Sequence, residues 1–451
     1  MIPANFPDRS VVVVGLGYVG LTLAVELAAA GFRVHGIDVR ADIIGALDKG
    51  EPHFWEDGLA ERLRYVLASG RFTYSAGLPR ECDATVFVIT VGTPLDASGR
   101  ARLDMIENAC REIAQLMRSG SLIILRSTVR IGTARKVVMP VLAATGKAFE
   151  LAVCPERTLE GRALTELHEL PQIIGADSSE TAHRASQLFG FLTPTTLRVH
   201  GLETAEIIKL VDNTYRDVTF AFGNEVARIC DAVGVSAHEV ISAGKLGYAR
   251  TNVAMPGPVG GPCLEKDAHI LRESCRDYDL ELDITSAGRR INERQPLESA
   301  RFLRGVFPSK LRDGFTIAML GVAFKGYPAT NDTRGTMAVP IIRALRAEFA
   351  GARFRAFDPQ VSTQESAALL DCPAVDTLEQ AFAGADIVCV LNAHVAFRSM
   401  PVASLSAAMS EQGVIYDFWN LFSGKIVEFR RGVKYVAVGS HCFANDEWKV
   451  S

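Results

Sequence analysis

The sequence predicts an α/β protein in which two doubly wound parallel-sheet domains are joined by a central helical domain carrying one long helix. Three observations carry that prediction. A β-branched run, Val11 to Val14, leads straight into Gly15-Leu16-Gly17-Tyr18-Val19-Gly20 and a helical segment. Short apolar runs alternate with helical segments through the first two hundred residues and again after about residue 308, which is the pattern of a parallel sheet covered on both faces. Between them, from Glu203 to about Val233, apolar residues recur at helical spacing, with no proline and with Gly223 as the one glycine. The expected domains are residues 1–200, 201–300 and 301–451.

The glycine hexapeptide has the context that gives it meaning, lying between a strand and a helix. Gly15 permits the tight turn, Gly17 lets the backbone approach a pyrophosphate at the helix N-terminus, and Gly20 allows close packing of helix on strand. A second strand, Arg33 to Asp38, ends in an acid placed to accept hydrogen bonds from ribose hydroxyls, which favours NAD over NADP; Arg40 weakens that preference. Further strands are expected at Thr85 to Thr90, Ser121 to Arg126, Glu150 to Val153 and Gln172 to Gly175. In the middle region Gly223 is a candidate kink, shorter helical pieces reach about Glu293, and Pro296 and Pro308 mark a break. Strands then resume at Thr316 to Leu320, Arg353 to Phe357, Asp386 to Leu391 and Val414 to Tyr416. This Rossmann-like second half echoes the first: Phe315 to Gly321 runs into Val322-Ala323-Phe324-Lys325-Gly326, and Asp358 ends the next strand. Lys325 where a phosphate-binding turn would lie suggests a second nucleotide ligand, and a solvated lysine is the alternative.

Gly260-Gly261-Pro262-Cys263-Leu264-Glu265-Lys266-Asp267 places one cysteine at the expected start of a helix, Leu264 to Arg272, with a carboxylate four residues on. Helix N-termini favour thiolates, so the arrangement suits a nucleophile. A buried structural cysteine after a turn is the competing reading.

Composition sets bounds. At 451 residues the chain is long enough for roughly three domains. Its 48% hydrophobic content is that of a soluble globular protein. A net charge of −4 and the lack of a basic block with aromatics argue against nucleic acid. The apolar runs are too short for a membrane span and MIPANFPDRS lacks a signal-peptide core, so a cytoplasmic location is expected. The nine cysteines, Cys82, Cys110, Cys154, Cys230, Cys263, Cys275, Cys372, Cys389 and Cys442, include no C-x-x-C pair, so neither a disulfide framework nor a metal site is expected. Most of them read as core residues.

Taken together the motifs resemble those of the nucleotide-sugar 6-dehydrogenases, the UDP-glucose/GDP-mannose dehydrogenase family. The resemblance rests on Gly15 to Leu21, Val91-Gly92-Thr93-Pro94, Ser127-Thr128-Val129, and Pro155-Glu156-Arg157 with Glu160-Gly161. It continues through Lys209-Leu210-Val211-Asp212-Asn213, Gly260 to Asp267, and Phe324-Lys325-Gly326 with Asn331-Asp332-Thr333-Arg334. It implies NAD-dependent four-electron oxidation of a sugar C6 alcohol to a carboxylate, through a thiohemiacetal and thioester on Cys263. It also implies catalytic roles for Lys209, Asn213, Asp267, Glu156 and Thr128, with Asp267 helping to activate the hydrolytic water. Cofactor contacts would come from Gly15, Gly17, Tyr18, Val19, Gly20, Asp38, Thr93, Thr128, Glu160 and Arg334, and substrate contacts from Glu156, Lys209, Asn213, Arg250, Gly260 and Lys325.

The loop Tyr248 to Gly257 resembles the N-acetylhexosamine branch, whereas Cys263-Leu264-Glu265-Lys266-Asp267 resembles the glucose and GDP-mannose enzymes instead, with Glu265 in the slot where those commonly have proline. A UDP-sugar, marginally an acetamido sugar, is the expected substrate. Apolar residues on more than one stripe of the long helix, among them Val211, Val218, Phe222, Ile229 and Val233, point to a homodimer. Lys209 and Asn213 alone also fit a two-electron 3-hydroxyacid dehydrogenase, and a non-catalytic nucleotide-sugar-binding protein is a third reading.

Overall fold

The computed structural model describes residues 2–3, 6–79, 82–308, 310–422 and 429–441. Cys442 lies outside them. The chain forms two compact units, residues 1–213 with 266–281, and residues 214–265 with 282–451.

The first unit is built on eight strands: β1 Ser10–Val14, β2 Arg33–Ile37, β3 Phe72–Ser75, β4 Val86–Ile89, β5 Ser121–Leu125, β6 Phe149–Val153, β7 Gln172–Ala176 and β8 Thr196–His200. Their order is β3-β2-β1-β4-β5-β6-β7-β8. β1 explains the centre of the sheet. Val11 and Val13 enter the core on one face, Val12 and Val14 the core on the other, so a strand buried on both sides reads as an unbroken β-branched run. Because β2 and β4 flank β1, the strand order reverses at the carboxyl end of β1, where doubly wound sheets open a crevice.

One pairing departs from the expected parallel sheet: β6 and β7 run antiparallel, with Val153 opposite Gly175. Only the seven-residue helix Ala163–Glu169 lies between them, and the chain re-enters the sheet at the end it left. The edge strands β3 and β8 were not marked by the sequence pattern. β8 buries none of its residues fully, so it has no apolar run to announce it.

The second unit holds a parallel sheet, β9 Thr316–Leu320, β10 Arg353–Phe357, β11 Ile387–Val390, β12 Val414–Asp417 and β13 Lys434–Ala437, in the order β10-β9-β11-β12-β13. Its order reverses at β9, flanked by β10 and β11, just as the first sheet reverses at β1. The acids at the ends of the second strands also match. Asp38 accepts from the Leu16 amide at 2.7 Å, and Asp358 from the Val322 and Ala323 amides at 2.6 and 3.0 Å, so each carboxylate holds the turn after the first strand of its sheet.

Three helical expectations are corrected. The long helix, Leu202–Val233, passes through Gly223 as helix: a Cβ there would overlap the Ala254 carbonyl, so close approach of a loop, not a kink, is what requires the glycine. Pro296 does not break the chain but lies buried inside the helix Asp283–Val306, which packs on the helix Ala338–Glu348; packing outweighs the lost amide hydrogen bond. The helix after Cys263 begins at Asp267, not Leu264. Residues 262–266 are turns, the Gly261 amide being tied to the Gly335 carbonyl at 2.7 Å, so the expected helix dipole behind the sulfur is absent. Among the described residues no helix is long and apolar enough to cross a membrane.

Candidate active site

Polar side chains of the first unit collect beyond the carboxyl ends of β1, β4, β5 and β6. Gly15 turns with φ +92°, and a Cβ on Gly20 would overlap the Gly15 carbonyl, so both glycines answer to the protein's own packing. Gly17 does not. A Cβ there meets no protein atom within 4 Å, and the residue caps the helix Tyr18–Ala30, so the open space suits backbone approach by a pyrophosphate. Val19 lies in the first turn of that helix. Arg40 is bound by Asp42 through Nε at 3.1 Å, so its charge is partly answered within the protein, and Asp38 also accepts from the Arg40 amide at 2.9 Å.

Tyr18 donates to the buried Glu56, which also accepts the Gly161 and Ala163 amides at 2.7 Å each. Burial first, then Glu56, pushes the Tyr18 phenol far up, with the Glu160 charge contributing, so the hydroxyl stays protonated. The first turn of the helix is thereby tied to the loop carrying buried Glu160. Thr93 donates to the Thr128 carbonyl, joining the loops after β4 and β5.

At the end of β5, Arg126 is buried and faces Glu156, with Gln172 Oε1 at 2.8 Å and the Cys154 carbonyl at 3.1 Å. Glu156 Oε1 accepts the Arg157 and Thr158 amides at 2.7 and 2.8 Å. Burial alone would raise this carboxyl, but Arg126, the Thr158 amide and Lys209 outweigh it and hold it below the usual range. Lys209 is half-buried on the long helix. One turn on, Asn213 donates to Asp267 Oδ2 at 2.6 Å, and Lys266 Nζ sits 2.8 Å from Asp267 Oδ1. Asp267 has no exposed surface. Glu156 thus feels the charge of Lys209, and Asn213 is bonded to Asp267.

Glu206, one turn before Lys209, accepts the Gly132 and Ala134 amides, the latter at 2.8 Å. Burial pushes its carboxyl up to about 7 from an ordinary 4.5. The folded state therefore holds this proton more tightly than the unfolded chain, so the stabilisation is complete below 4.5 and is lost as pH rises through about 7. Asp417, raised by burial to about 6, acts in the same direction. The melting temperature is expected to fall between pH 4.5 and 7, and Glu206→Gln to remove part of that slope; an unchanged slope in thermal melts would contradict the assignment.

The remaining predicted residues lie in the second unit. The Cys263 turn rests on the 324–335 segment: a Cβ on Gly260 would overlap the Gly335 carbonyl, and one on Gly261, where φ is +96°, would reach the Phe324 ring at 2.5 Å. Lys325 Nζ stands 5.4 Å over the Phe324 ring, and Arg334 donates to Asp332 through Nε at 2.9 Å. Arg250 is exposed and stacks on Tyr248 at 4.7 Å. Of the eight described cysteines, Cys263 is the one that is exposed. Burial pushes Cys110 and Cys154 up to about 12, which keeps them as thiols.

Arg126, Glu56, Glu206 and Lys266 were not singled out from the sequence. Arg126 did carry a signal, an arginine closing the apolar run Leu122 to Leu125, and Lys266 sat inside the cysteine motif; Glu56 and Glu206 look like surface acids.

A doubly wound sheet with a glycine turn shaped for a pyrophosphate, in a chain that carries a second sheet of the same design, defines a nucleotide-binding protein. Residues 9–193 match the NAD-binding domain, 203–294 the central domain and 318–424 the UDP-binding domain of the UDP-glucose/GDP-mannose dehydrogenase family. The chain belongs to that family and is an NAD-dependent oxidoreductase acting on a UDP-sugar. It is 31% identical over 430 residues to a UDP-N-acetyl-D-mannosamine dehydrogenase of Pyrococcus horikoshii, covering 93% of this chain and 97% of the relative. A solved structure of the UDP-D-ManNAc dehydrogenase from Pyrococcus horikoshii superposes with a TM-score of 0.86 at 30% identity, over 96% of this chain and all of that one. A UDP-glucose dehydrogenase from Pyrobaculum islandicum gives 0.84 at 27% identity, over 96% and 99%.

Proposed function

We propose that this protein oxidises the C6 hydroxymethyl group of a UDP-linked acetamido hexose, of the UDP-N-acetylmannosamine type, to a carboxylate, with Cys263 as covalent nucleophile. The observation that carries the reading is the exposure of Cys263 alone among the described cysteines, on a tight glycine turn. The names of the relatives support the acetamido sugar over glucose.

Bound NAD+ supplies the hydride acceptor for both oxidations. Gly15, Gly17 and Gly20 with the amides of the first helix would hold its pyrophosphate and Asp38 its ribose, and the loops joined by the Thr93–Thr128 and Tyr18–Glu56 bonds would shape its nicotinamide end. The first oxidation removes hydride from C6 and a proton from its hydroxyl, giving an aldehyde. Cys263 Sγ then bonds to the aldehyde carbon, the sulfur's proton leaves and the oxygen is protonated: a thiohemiacetal. Loss of the second hydride and the hydroxyl proton leaves a thioester. Water adds to it, the carbon–sulfur bond breaks, and the thiol is regenerated with the carboxylate.

The oxygen gains negative charge when the thiol adds and when water adds, and Lys209 with Asn213 on one helix face meets it. Glu156, ionised and with both oxygens engaged, fixes the loop after β6. Asp267, fully buried, orients Asn213 and Lys266, and the proton from the hydrolytic water passes toward this group. Lys325 and Arg250 would bind the diphosphate, and Arg334 would serve as a cofactor contact.

The test is NADH formed per mole of limiting sugar with UDP-N-acetylmannosamine, UDP-N-acetylglucosamine, UDP-glucose and GDP-mannose. Two NADH from an acetamido sugar is expected. One NADH would mean a two-electron enzyme, and none with any sugar would remove the reading.

A homodimer belongs to the same reading. Ile207, Val211, Tyr215, Phe222, Ile229 and Val233 are exposed along one side of the long helix, opposite the buried Asn213, Asp217 and Asn224. Light scattering should give twice the chain mass, and Phe222→Glu should give the monomer mass; a monomeric parent would dispose of the dimer.

A further inference from the structure

The residues that hold the Cys263 turn from behind are not among those assigned above. Gly257 lies ahead of the cysteine and Leu264 just after it, and both ends are bound to one buried chain of polar side chains on two helices. Asn224, on the long helix, accepts the Gly257 amide at 2.9 Å and donates to the Gly257 carbonyl at 3.0 Å. The Asn224 side-chain Nδ2 also donates to Asn292 Oδ1, on the helix Asp283–Val306, at 3.0 Å. Asn292 donates to Asp217 Oδ1 at 2.9 Å and to the Asp217 carbonyl at 3.0 Å. Arg289 Nη1 donates to Asp217 Oδ1 at 2.7 Å and onward to the Leu264 carbonyl at 3.2 Å. Asn224, Asn292, Asp217 and Arg289 are all buried, Asn292 and Asp217 completely.

A hydrophobic contact between the helices would pack them as well, and a buried charge pair seldom adds stability over an apolar one. This chain does something an apolar contact could not, since it terminates on backbone groups at both ends of the segment that carries the nucleophile. Asp217 Oδ2 has no hydrogen-bond partner, so the carboxylate is spent on one oxygen, Oδ1, which serves Asn292 and Arg289 together. A group kept buried with an unpaired oxygen needs a reason beyond stability.

We infer that Asp217, Arg289, Asn224 and Asn292 are positioning residues that act as one relay to fix the Gly257–Leu264 segment and so aim Cys263. The inference rests on the covalent role given to Cys263 above. Lys209, Asn213 and Asp217 are spaced four residues apart, so one face of the long helix carries the proposed oxyanion groups and then the first member of the relay.

Two variants of the full-length protein test it. Arg289→Lys keeps a cation for Asp217 but gives up the planar guanidinium, whose Nε and Nη2 are held by Glu293 at 3.3 Å and so aim Nη1 at both Asp217 and the Leu264 carbonyl; Asn224→Ala cuts the other end. Each is expected to lower kcat about tenfold with KM for NAD+ unchanged, and the double variant to be no more than about twofold worse than either, since members of one unit are not additive. Amide hydrogen exchange in residues 257–266 should quicken by about tenfold or more while β9 and β12 keep their protection. Unchanged exchange in 257–266, or exchange quickened equally throughout the unit, would overturn the relay, as would kcat losses that multiply in the double variant. If the parent reduces no NAD+ with any of the four sugars, the proposed function fails by that result alone, and the exchange measurement still decides whether the relay holds the segment.

Discussion

Cys263→Ser is expected to abolish conversion of sugar to carboxylate, lowering kcat by at least about 10³-fold while NAD+ binding is retained. A serine hydroxyl is a far weaker nucleophile at neutral pH, so the aldehyde would not be captured and the second hydride would have no tetrahedral carbon to leave. The turn itself should survive, because Gly260, Gly261 and Gly335 form it and the cysteine is exposed. Mass spectrometry of the parent quenched during turnover should show an adduct on Cys263, absent in the variant. Full two-NADH turnover by the serine variant would end the covalent mechanism.

Arg126→Met is expected to cost about 3–5 kcal/mol of stability, because it leaves Glu156 ionised in a buried site without its counter-charge. The Arg126 and Glu156 side chains are 1% and 10% exposed, so water cannot take over. Arg126 also holds Gln172 on β7 and the Cys154 carbonyl, and its loss frees the loop that carries Glu156 and Glu160. KM for NAD+ should therefore rise together with the fall in unfolding midpoint in urea. Adding Glu156→Leu should return much of the stability but not the activity; a double variant no more stable than Arg126→Met would show that the charge pair is not the cause.

The first sheet was legible because its central strands are buried on both faces, and continuous runs such as Val11 to Val14 have no polar interruption. The glycine turn was legible for a stricter reason, since Gly15 and Gly20 are required by backbone geometry that no other residue meets. The limits were equally physical. Local signals placed the start of the helix after Cys263 at Leu264, but a backbone bond from Gly261 to Gly335, over seventy residues away in sequence, delays it to Asp267. Pro296 reads as a helix breaker until its packing against another helix is known. Lys209 and Asn213 were found through a motif, whereas Asp217 and Arg289 belong to a network assembled from two helices and are visible only when those helices meet.

The glycine that the long helix carries at position 223 has a meaning for the numbering of that helix. A Cβ at neighbouring Phe222 or Asn224, brought by a one-residue slip to the place where Ala254 approaches, would collide with its carbonyl. Gly223 is thus a registration notch: it permits one alignment of helix and loop, and in that alignment Asn224 meets Gly257. Insertions or deletions upstream in the helix can be tolerated only if this notch is kept in phase, which makes the helix a ruler whose length is set from its middle and not from its ends.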